Sequence, residues 1–185
     1  MAVVIALLRA VNVGGHNMIR MEALRTLCES LGLCDAQTHL QSGNVIFRTS
    51  ERDLGRLGRR IEAAIEQTAG FRPGVMLRTP AEMKKVIAGS PFAGRQGIEP
   101  NRFAVIFLAV EPAPEAREKL LSIKSDTEEC HIRGREVYVY FAGGMARPKL
   151  SPALIEKTLR TAGTGRNWNT VTKLLEISQE LEKRS

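Results

Sequence analysis

The hydrophobic and polar positions of residues 1–79 follow strand and helix periods in turn. Residues 3–10 form a nearly continuous apolar run of strand length, typical of a strand inside a sheet. Apolar residues then recur on one face of a predicted helix: Met21, Leu24, Leu27, Cys28 and Leu31. Gly32 follows where a helix prefers a left-handed terminating residue. The chain is therefore predicted to begin with a strand and a helix.

Two short strands, a second helix and a further strand continue this order. Residues 37–40 and 44–49 flank the polar turn Gln41-Ser42-Gly43, which predicts a hairpin. Ser50 is expected to cap the next helix, which ends at Gly70. Residues 75–78 then supply another strand. The order βαββαβ predicts a ferredoxin-like half, in which an antiparallel sheet carries two helices on one face.

Residues 80–101 are predicted to connect this half to a second one. Thr79, Pro80 and Glu82 have the pattern of a capping box with proline at the first helical position. Residues 88–101 are rich in glycine and proline and indicate a boundary or an exposed loop.

The element order begins again in residues 102–185, with strand, helix, strand, strand and helix patterns. Residues 163–169 show no strand pattern and precede an amphipathic helix. We therefore predict an α+β protein of two ferredoxin-like (βαββαβ) halves, residues 1–79 and 102–185. The second half is expected to lack its last strand and to end in a C-terminal helix.

The composition is typical of a folded, water-soluble protein, with 43% hydrophobic and 25% charged residues among 185. There are 27 Lys and Arg against 20 Asp and Glu, a net charge of +7. Such a charge permits an acidic partner, such as nucleic acid or a phosphorylated ligand. The apolar runs are too short to span a bilayer, and the start lacks the features of a signal peptide. We expect a cytoplasmic protein without a membrane partner, of undetermined oligomeric state.

The cysteines and histidines predict neither disulfide bonds nor a metal site. Cys28, Cys34 and Cys130 are odd in number and have no CxxC spacing, which is typical of a reducing compartment. The three histidines are far apart in the sequence, and no GxSxG, HExxH or paired acidic motif is present. The sequence thus indicates no cofactor and leaves open whether the protein is an enzyme.

The loop after the first strand is the first candidate binding segment. Gly14 and Gly15, ahead of a helix, let backbone N–H groups converge on an anion. Arg9 and Asn12 are additional charged and neutral donors. An ordinary glycine-rich turn is the alternative interpretation.

A second candidate segment precedes the last helix. Arg166, Asn167 and Asn169 are suited to hold a phosphate or carboxylate near a helix N-terminus. Alternatively, Asn169 caps that helix and Trp168 anchors the core.

Three motifs in these regions, in the order ALLRAVNVGGHN, HLQSGNVIF and GRNWNTVTKLL, closely resemble the family known as domain of unknown function 1697. The resemblance runs from the first strand to the last helix. It implies a compact bacterial α+β protein of two ferredoxin-like halves without an assigned reaction. Its middle motif adds Gln41, Ser42 and Asn44 to the candidate ligand-binding residues. Family members commonly have Thr-Thr before Arg-Asn-Trp-Asn, whereas Gly165 here removes one hydroxyl group.

Nucleic-acid binding is a second interpretation. Arg52, Arg56 and Arg60 are four residues apart and therefore share one helix face, which is suited to follow phosphates. Tyr138 and Tyr140 lie on one face of a predicted strand and are suited to stack on bases. A solvated helix face, and tyrosines packed beneath a helix or the other half, explain the same residues without nucleic acid.

The leading hypothesis is that the protein binds a phosphate-bearing small ligand in a pocket formed by residues 9–17 and 166–170. Nucleic-acid binding through the arginine face and the tyrosine strand is the first alternative. An enzyme of unknown reaction is the second.

Overall fold

The fold is described by a computed structural model for residues 1–184. Its contacts divide the chain into two compact units: a first unit of Met1–Lys84 with the residues from Lys173 on, and a second unit of Lys85–Thr172. The elements in chain order are β1 Ala2–Leu8, α1 Met21–Ser30, β2 Cys34–His39, β3 Asn44–Thr49, α2 Leu54–Ala69, β4 Val75–Arg78, α3 Pro80–Ala88, β5 Phe103–Leu108, α4 Pro114–Leu121, β6 Glu128–Arg133, β7 Glu136–Phe141, α5 Pro152–Leu159, β8 Gly163–Asn167 and α6 Trp168–Lys183. Within these residues, no helix is long and apolar enough to cross a membrane.

The sheet of the first unit has the strand order β2-β3-β1-β4, with every neighbouring pair antiparallel. Alternate residues of β1, namely Val4, Ala6 and Leu8, belong to a core cluster shared with residues of α1 and α2. Val3, Ile5 and Leu7, which alternate with them, are also buried. Burial on both faces explains why the sequence of β1 is a continuous apolar run.

The helix ends of the first unit follow local sequence signals, with one exception. Gly32 and Gly70 have φ angles of 75° and 77°, which confirms the predicted left-handed residue after α1 and the predicted end of α2. The predicted cap at Ser50 is wrong, because α2 begins at Leu54 and the Asp53 side chain accepts a 2.9 Å hydrogen bond from the Arg56 N–H. Asp53 is the residue immediately before the helix, where a capping oxygen reaches the first free N–H groups.

The capping box before α3 is confirmed. The Thr79 N–H donates to the Glu82 carboxylate over 2.8 Å, and the Glu82 N–H donates to the Thr79 hydroxyl over 3.1 Å. These reciprocal bonds satisfy two donors at the helix start.

The second unit contains the strand that the sequence pattern missed. Its sheet has the order β6-β7-β5-β8, and β8 pairs antiparallel with β5 from Gly163 opposite Leu108 to Asn167 opposite Ala104. Every step from one strand to its sheet neighbour matches the first sheet, so the second half is a complete βαββαβ arrangement followed by α6. A Cβ on Gly163 would lie 2.9 Å from Ile106 Cγ2. Close packing against β5 therefore requires glycine at a position where a strand pattern would show an apolar residue.

Each half continues from its fourth strand directly into a helix. Arg78 pairs with Ile5 and Arg166 pairs with Val105, at corresponding places in the two sheets. α3 follows β4 and α6 follows β8. The common element order is thus βαββαβα.

The ends of these two helices make comparable contacts inside their units. In the second unit, the Tyr138 hydroxyl donates to the Val86 carbonyl of α3 over 2.8 Å. In the first unit, the Arg48 guanidinium donates to the Leu181 carbonyl of α6 over 2.5 Å. In both units, a side chain on the strand after the hairpin turn binds a helix carbonyl.

The turn between β2 and β3 depends on Gly43, which has a φ of 73°. A Cβ at this position would lie 2.8 Å from Leu8 Cβ and 3.3 Å from Val11 Cβ. We expect Gly43→Ala to lower the free energy of unfolding by about 3 kcal/mol, because left-handed strain adds to the steric clash. Urea unfolding measures this change.

Gly70→Ala is the matched control, because its φ is 77° but a Cβ there would meet nothing within 4 Å. It is expected to cost about 1 kcal/mol, from backbone strain alone. Equal losses in the two variants would show that the contact with Leu8 does not determine the turn.

Candidate functional site

The candidate site consists of two segments at the same end of the first sheet: the loop of residues 9–20 between β1 and α1, and the turn of residues 40–43 between β2 and β3. We call this the loop–turn site. The Leu8 N–H donates to the Gly43 carbonyl over 2.9 Å, which brings the start of the loop beside the turn. The site includes the loop part of the first motif and the turn part of the second.

Asn12 holds the site together through its side-chain amide. Its Nδ2 donates to the carbonyls of Ile19, over 3.0 Å, and Gln41, over 2.8 Å. Its Oδ1 accepts a 2.8 Å hydrogen bond from the Ile19 N–H. One side chain therefore closes the loop and ties it to the turn. The predicted ligand donor Asn12 uses its amide within the protein.

The tip of the loop is a tight turn made by the two glycines. Val13 and His16 form a short antiparallel bridge, and the His16 N–H donates to the Val13 carbonyl over 3.0 Å. Gly14 and Gly15 have φ angles of 57° and 78°, the left-handed pair that narrow hairpin turns require. Both glycines are exposed, so the tip presents backbone to solvent.

Left-handed backbone at residues other than glycine is concentrated in this site. In residues 1–184, six such residues have positive φ, and four of them belong to the site: Ala10, Asn12, Asn17 and Leu40. Leu40, with a φ of 60°, lacks the short polar side chain that eases this conformation for asparagine. Strained backbone of this kind persists where the surrounding structure enforces it, often at functional sites.

The second half lacks the corresponding elaboration. Its Leu108 N–H donates to the Arg135 carbonyl over 2.8 Å, in the same place as the bond from Leu8 to Gly43. Five residues separate Leu108 from α4, whereas twelve separate Leu8 from α1. The hairpin turn of the second half contains two residues, and that of the first half contains four. The second half forms the same sheet with the shorter connections. The added length of the loop–turn site is therefore not needed to form the sheet.

The surface of the site combines apolar and basic side chains. Val13, Met18 and Leu40 are 62%, 62% and 57% exposed. Arg20 and His16 are exposed and Arg9 is half-buried, while neither segment contains an acidic residue. Sequence reasoning missed Arg20 and the three apolar residues. Leu40 was assigned to the strand before the turn, but β2 ends at His39. A large apolar residue next to the polar turn is the signal that could have identified it.

The other predicted residues of the turn have unequal exposure. Gln41 is exposed, and Ser42 is half-buried. Asn44 is buried, and its Nδ2 donates to the His39 carbonyl over 2.7 Å and to the Ser42 hydroxyl over 3.0 Å. Asn44 therefore stabilises the turn from inside.

The second candidate segment lies in the second unit, where internal bonds account for most of its polar groups. Arg166 is buried, and its Nη1 donates to the Thr164 hydroxyl over 2.7 Å and to the Gly165 carbonyl over 2.8 Å. Burial lowers the pKa of Arg166 to about 10, because a low-dielectric environment disfavours its charge. Its guanidinium is therefore buried and is not presented to solvent.

The start of α6 differs from the predicted cap. Asn167, not Asn169, caps the helix: its Oδ1 accepts a 2.9 Å hydrogen bond from the Thr170 N–H. The helix begins at Trp168, which leaves Asn169 exposed within its first turn. Trp168 is half-buried and stacks on Phe103 with ring centroids 4.5 Å apart.

Among the residues of the nucleic-acid alternative, the arginines are exposed and the tyrosines are at least partly buried. Arg56 and Arg60 are exposed on α2, whereas Arg52 is exposed but precedes the helix. The predicted helix face shared by all three arginines is therefore wrong, because Asp53 caps α2 and the helix begins at Leu54. Tyr138 is buried beneath the end of α3, as its bond to Val86 shows, and its ring is inaccessible to a base. Tyr140 is half-buried and donates to the Gly97 carbonyl over 3.1 Å.

Glu129 is the centre of a small cluster of titratable groups in the second unit. Glu129 accepts a 2.8 Å hydrogen bond from Arg95 and lies 2.8 Å from His131 Nε2. The hydrogen bond to His131, and then Arg95, lower the pKa of Glu129. Burial raises the pKa of Cys28 to about 12, so its thiol stays protonated. Among the described residues, no group of three or more His, Cys, Asp and Glu is placed to hold a metal ion.

The geometry defines an α+β protein of two ferredoxin-like halves, one of which carries an elaborated loop–turn site. It is similar to the solved structure of the conserved bacterial protein SP0830 from Streptococcus pneumoniae, with a TM-score of 0.71 and 19% sequence identity. The match covers 96% of this chain and 98% of that one. Residues 1–138 match the family described as protein of unknown function (DUF1697), and the chain belongs to this family. No curated protein matches the chain.

The role of Asn12 predicts a large effect of its removal. Asn12→Ala leaves the Ile19 and Gln41 groups without this partner and places alanine at a φ of 55°. We expect a loss of about 2–3 kcal/mol in the free energy of unfolding, measured with urea. Asn169→Ala, at an exposed position, is the control and is expected to stay within about 0.5 kcal/mol of the wild type. A similar small change in both variants would contradict the assigned role of Asn12.

The strain at Leu40 predicts that its replacement stabilises the protein. Leu40→Asn introduces a residue that tolerates positive φ, and we expect a gain of about 1 kcal/mol, seen as a higher unfolding temperature. Leu121→Asn makes the same chemical change at an exposed helical position and is expected to give no gain. A loss of stability in Leu40→Asn would show that the leucine side chain is required for folding.

Proposed function

We propose that the protein binds a phosphate-bearing ligand at the loop–turn site. The observation that carries this proposal is the concentration of strained backbone in two lengthened connections, which the Asn12 side chain joins by hydrogen bonds. The second half builds the same sheet with shorter connections. Rigid, strained elaborations on a complete scaffold are characteristic of binding loops.

The charge of the site favours an anion. Arg9 and Arg20 stand at the two ends of the loop, and the exposed glycines place backbone at its tip. Because neither segment carries an acidic residue, nothing within them opposes the attraction of a negative ligand. Arginine and backbone N–H groups are the usual donors to phosphate. Exposed Gln41 adds a neutral donor to this set.

The segment 166–170 belongs to the second unit and is not part of the proposed site. Arg166 and Asn167 stabilise the second unit through the bonds described above, and Trp168 packs on Phe103. Asn169 is exposed.

Nucleic-acid binding along α2 is the second candidate. The observation that favours it is the exposure of Arg56 and Arg60, four residues apart on α2, with Arg52 exposed just before the helix. Their partners are weak or local: the Arg56 Nε lies 3.9 Å from a Glu51 carboxylate oxygen, and Arg60 donates to the Leu31 carbonyl over 3.2 Å. Such side chains reorient at little cost to meet phosphates.

Calorimetric titration of the full chain with inorganic phosphate, mononucleotides and short oligonucleotides tests the proposal. We expect binding at low salt that weakens about tenfold in Arg9→Gln and in Arg20→Gln, because each substitution removes a charge-assisted contact. Arg56→Gln removes the same charge at a distant place on the surface and is expected to bind like the wild type.

Two results would decide against the loop–turn site. One is the absence of binding at low salt. The other is unchanged affinity in both Arg9→Gln and Arg20→Gln. Loss of oligonucleotide binding in Arg56→Gln alone, with a steep dependence on salt, would establish the α2 face instead.

A further inference from the structure

We infer that the phosphate recognised by the loop–turn site belongs to an anionic lipid surface. The inference rests on the proposed function and adds the partner that carries the phosphate. It starts from the three large apolar side chains that the site exposes, Val13, Met18 and Leu40, each more than half accessible. Exposed apolar residues gathered at one place indicate an interaction surface.

The structure fixes these side chains around one group. Val13 follows Asn12 in the chain, and Met18 precedes Ile19, whose N–H and C=O both bond to the Asn12 amide. Leu40 precedes Gln41, whose carbonyl accepts from the same amide. Hydrogen bonds and strained backbone therefore fix the positions of these three exposed apolar residues. A loop without a partner would gain stability by replacing Leu40 with a residue suited to positive φ.

Charge complementarity indicates what contacts this surface. Arg9, His16 and Arg20 are interspersed with the apolar residues, and the two segments hold no carboxylate. Anionic lipid surfaces attract basic residues, while aliphatic side chains enter the boundary between headgroups and acyl chains. Like charges oppose the pairing of this surface with itself in a second copy of the chain.

Two further features favour a lipid surface over other phosphate carriers. Pockets for small soluble ligands are concave and enclose most of the ligand, whereas Val13, Met18 and Leu40 stand exposed to solvent. Single-stranded nucleic acids stack on aromatic side chains, and neither segment contains Phe, Tyr or Trp. Contact of this kind needs no spanning helix. A lipid partner departs from the expectation of no membrane partner, which rested on the length of the apolar runs.

Vesicle flotation of the full chain tests the inference. We expect the protein to float with vesicles of phosphatidylcholine and phosphatidylglycerol, and to stay behind with vesicles of phosphatidylcholine alone. Met18→Gln combined with Leu40→Asn is expected to lower the partition coefficient at least tenfold, although Leu40→Asn relieves backbone strain. Arg20→Gln is expected to lower it and to weaken its dependence on salt.

Leu121→Gln is the matched control, because Leu121 is 52% exposed on α4 of the second unit. It is expected to float like the wild type. Absence of flotation with anionic vesicles would overturn the inference, as would equal flotation of the wild type and the variant with Met18 and Leu40 replaced. Competition by oligonucleotides that removes the protein from vesicles, with no effect of the apolar substitutions, would identify nucleic acid as the partner.

Failure of this inference is distinct from failure of the proposed function. Calorimetric binding of a soluble phosphate that depends on Arg9 and Arg20, without flotation, would overturn the lipid partner and leave the proposed site intact. Absence of both would overturn both.

Discussion

The central strand β1 positions the features that distinguish the first half. Its side chains are buried on both faces, and it pairs with β3 on one side and β4 on the other. At its end, the Leu8 N–H binds the Gly43 carbonyl and the Arg9 N–H binds the Gly74 carbonyl. These two bonds direct the chain out of the sheet beside the hairpin turn. The Asn12 amide can bridge loop and turn only because the strand ends there, and the strained backbone depends on that bridge.

The two halves show how one arrangement of strands supports different surfaces. Their sheets and trailing helices correspond element by element, and Arg78 and Arg166 occupy matching places on the fourth strands. They differ at the connections, where the first half has the longer loop and the longer turn. Connections carry little of the core, so they tolerate added length and strain that a strand does not. The boundaries of the two halves, predicted from the sequence at residues 79 and 101, remain a proposal.

Particular residues show where prediction from sequence succeeded and where it failed. Gly32, Gly70 and the capping box of Thr79 and Glu82 act through bonds within a few residues, so their sequence signals were sufficient. Asn12 was identified as part of the site, but its role was not, because its partners Ile19 and Gln41 lie 7 and 29 residues away. The buried environments of Arg166 and Tyr138 likewise come from neighbouring strands and helices.

The sequence by itself determined the α+β class, the order of elements in both halves, most helix ends and the place of the glycine-rich loop. Periodicity and capping depend on residues that are close together in the sequence, so they can be predicted from a single sequence. Only the tertiary structure decided that residues 163–167 form a strand, that Asn167 caps α6, and that Val13, Met18 and Leu40 stay exposed. Strand pairing and exposure depend on residues distant in sequence. Residue 163 of this strand must be glycine, because the Ile106 side chain leaves no room for a Cβ there.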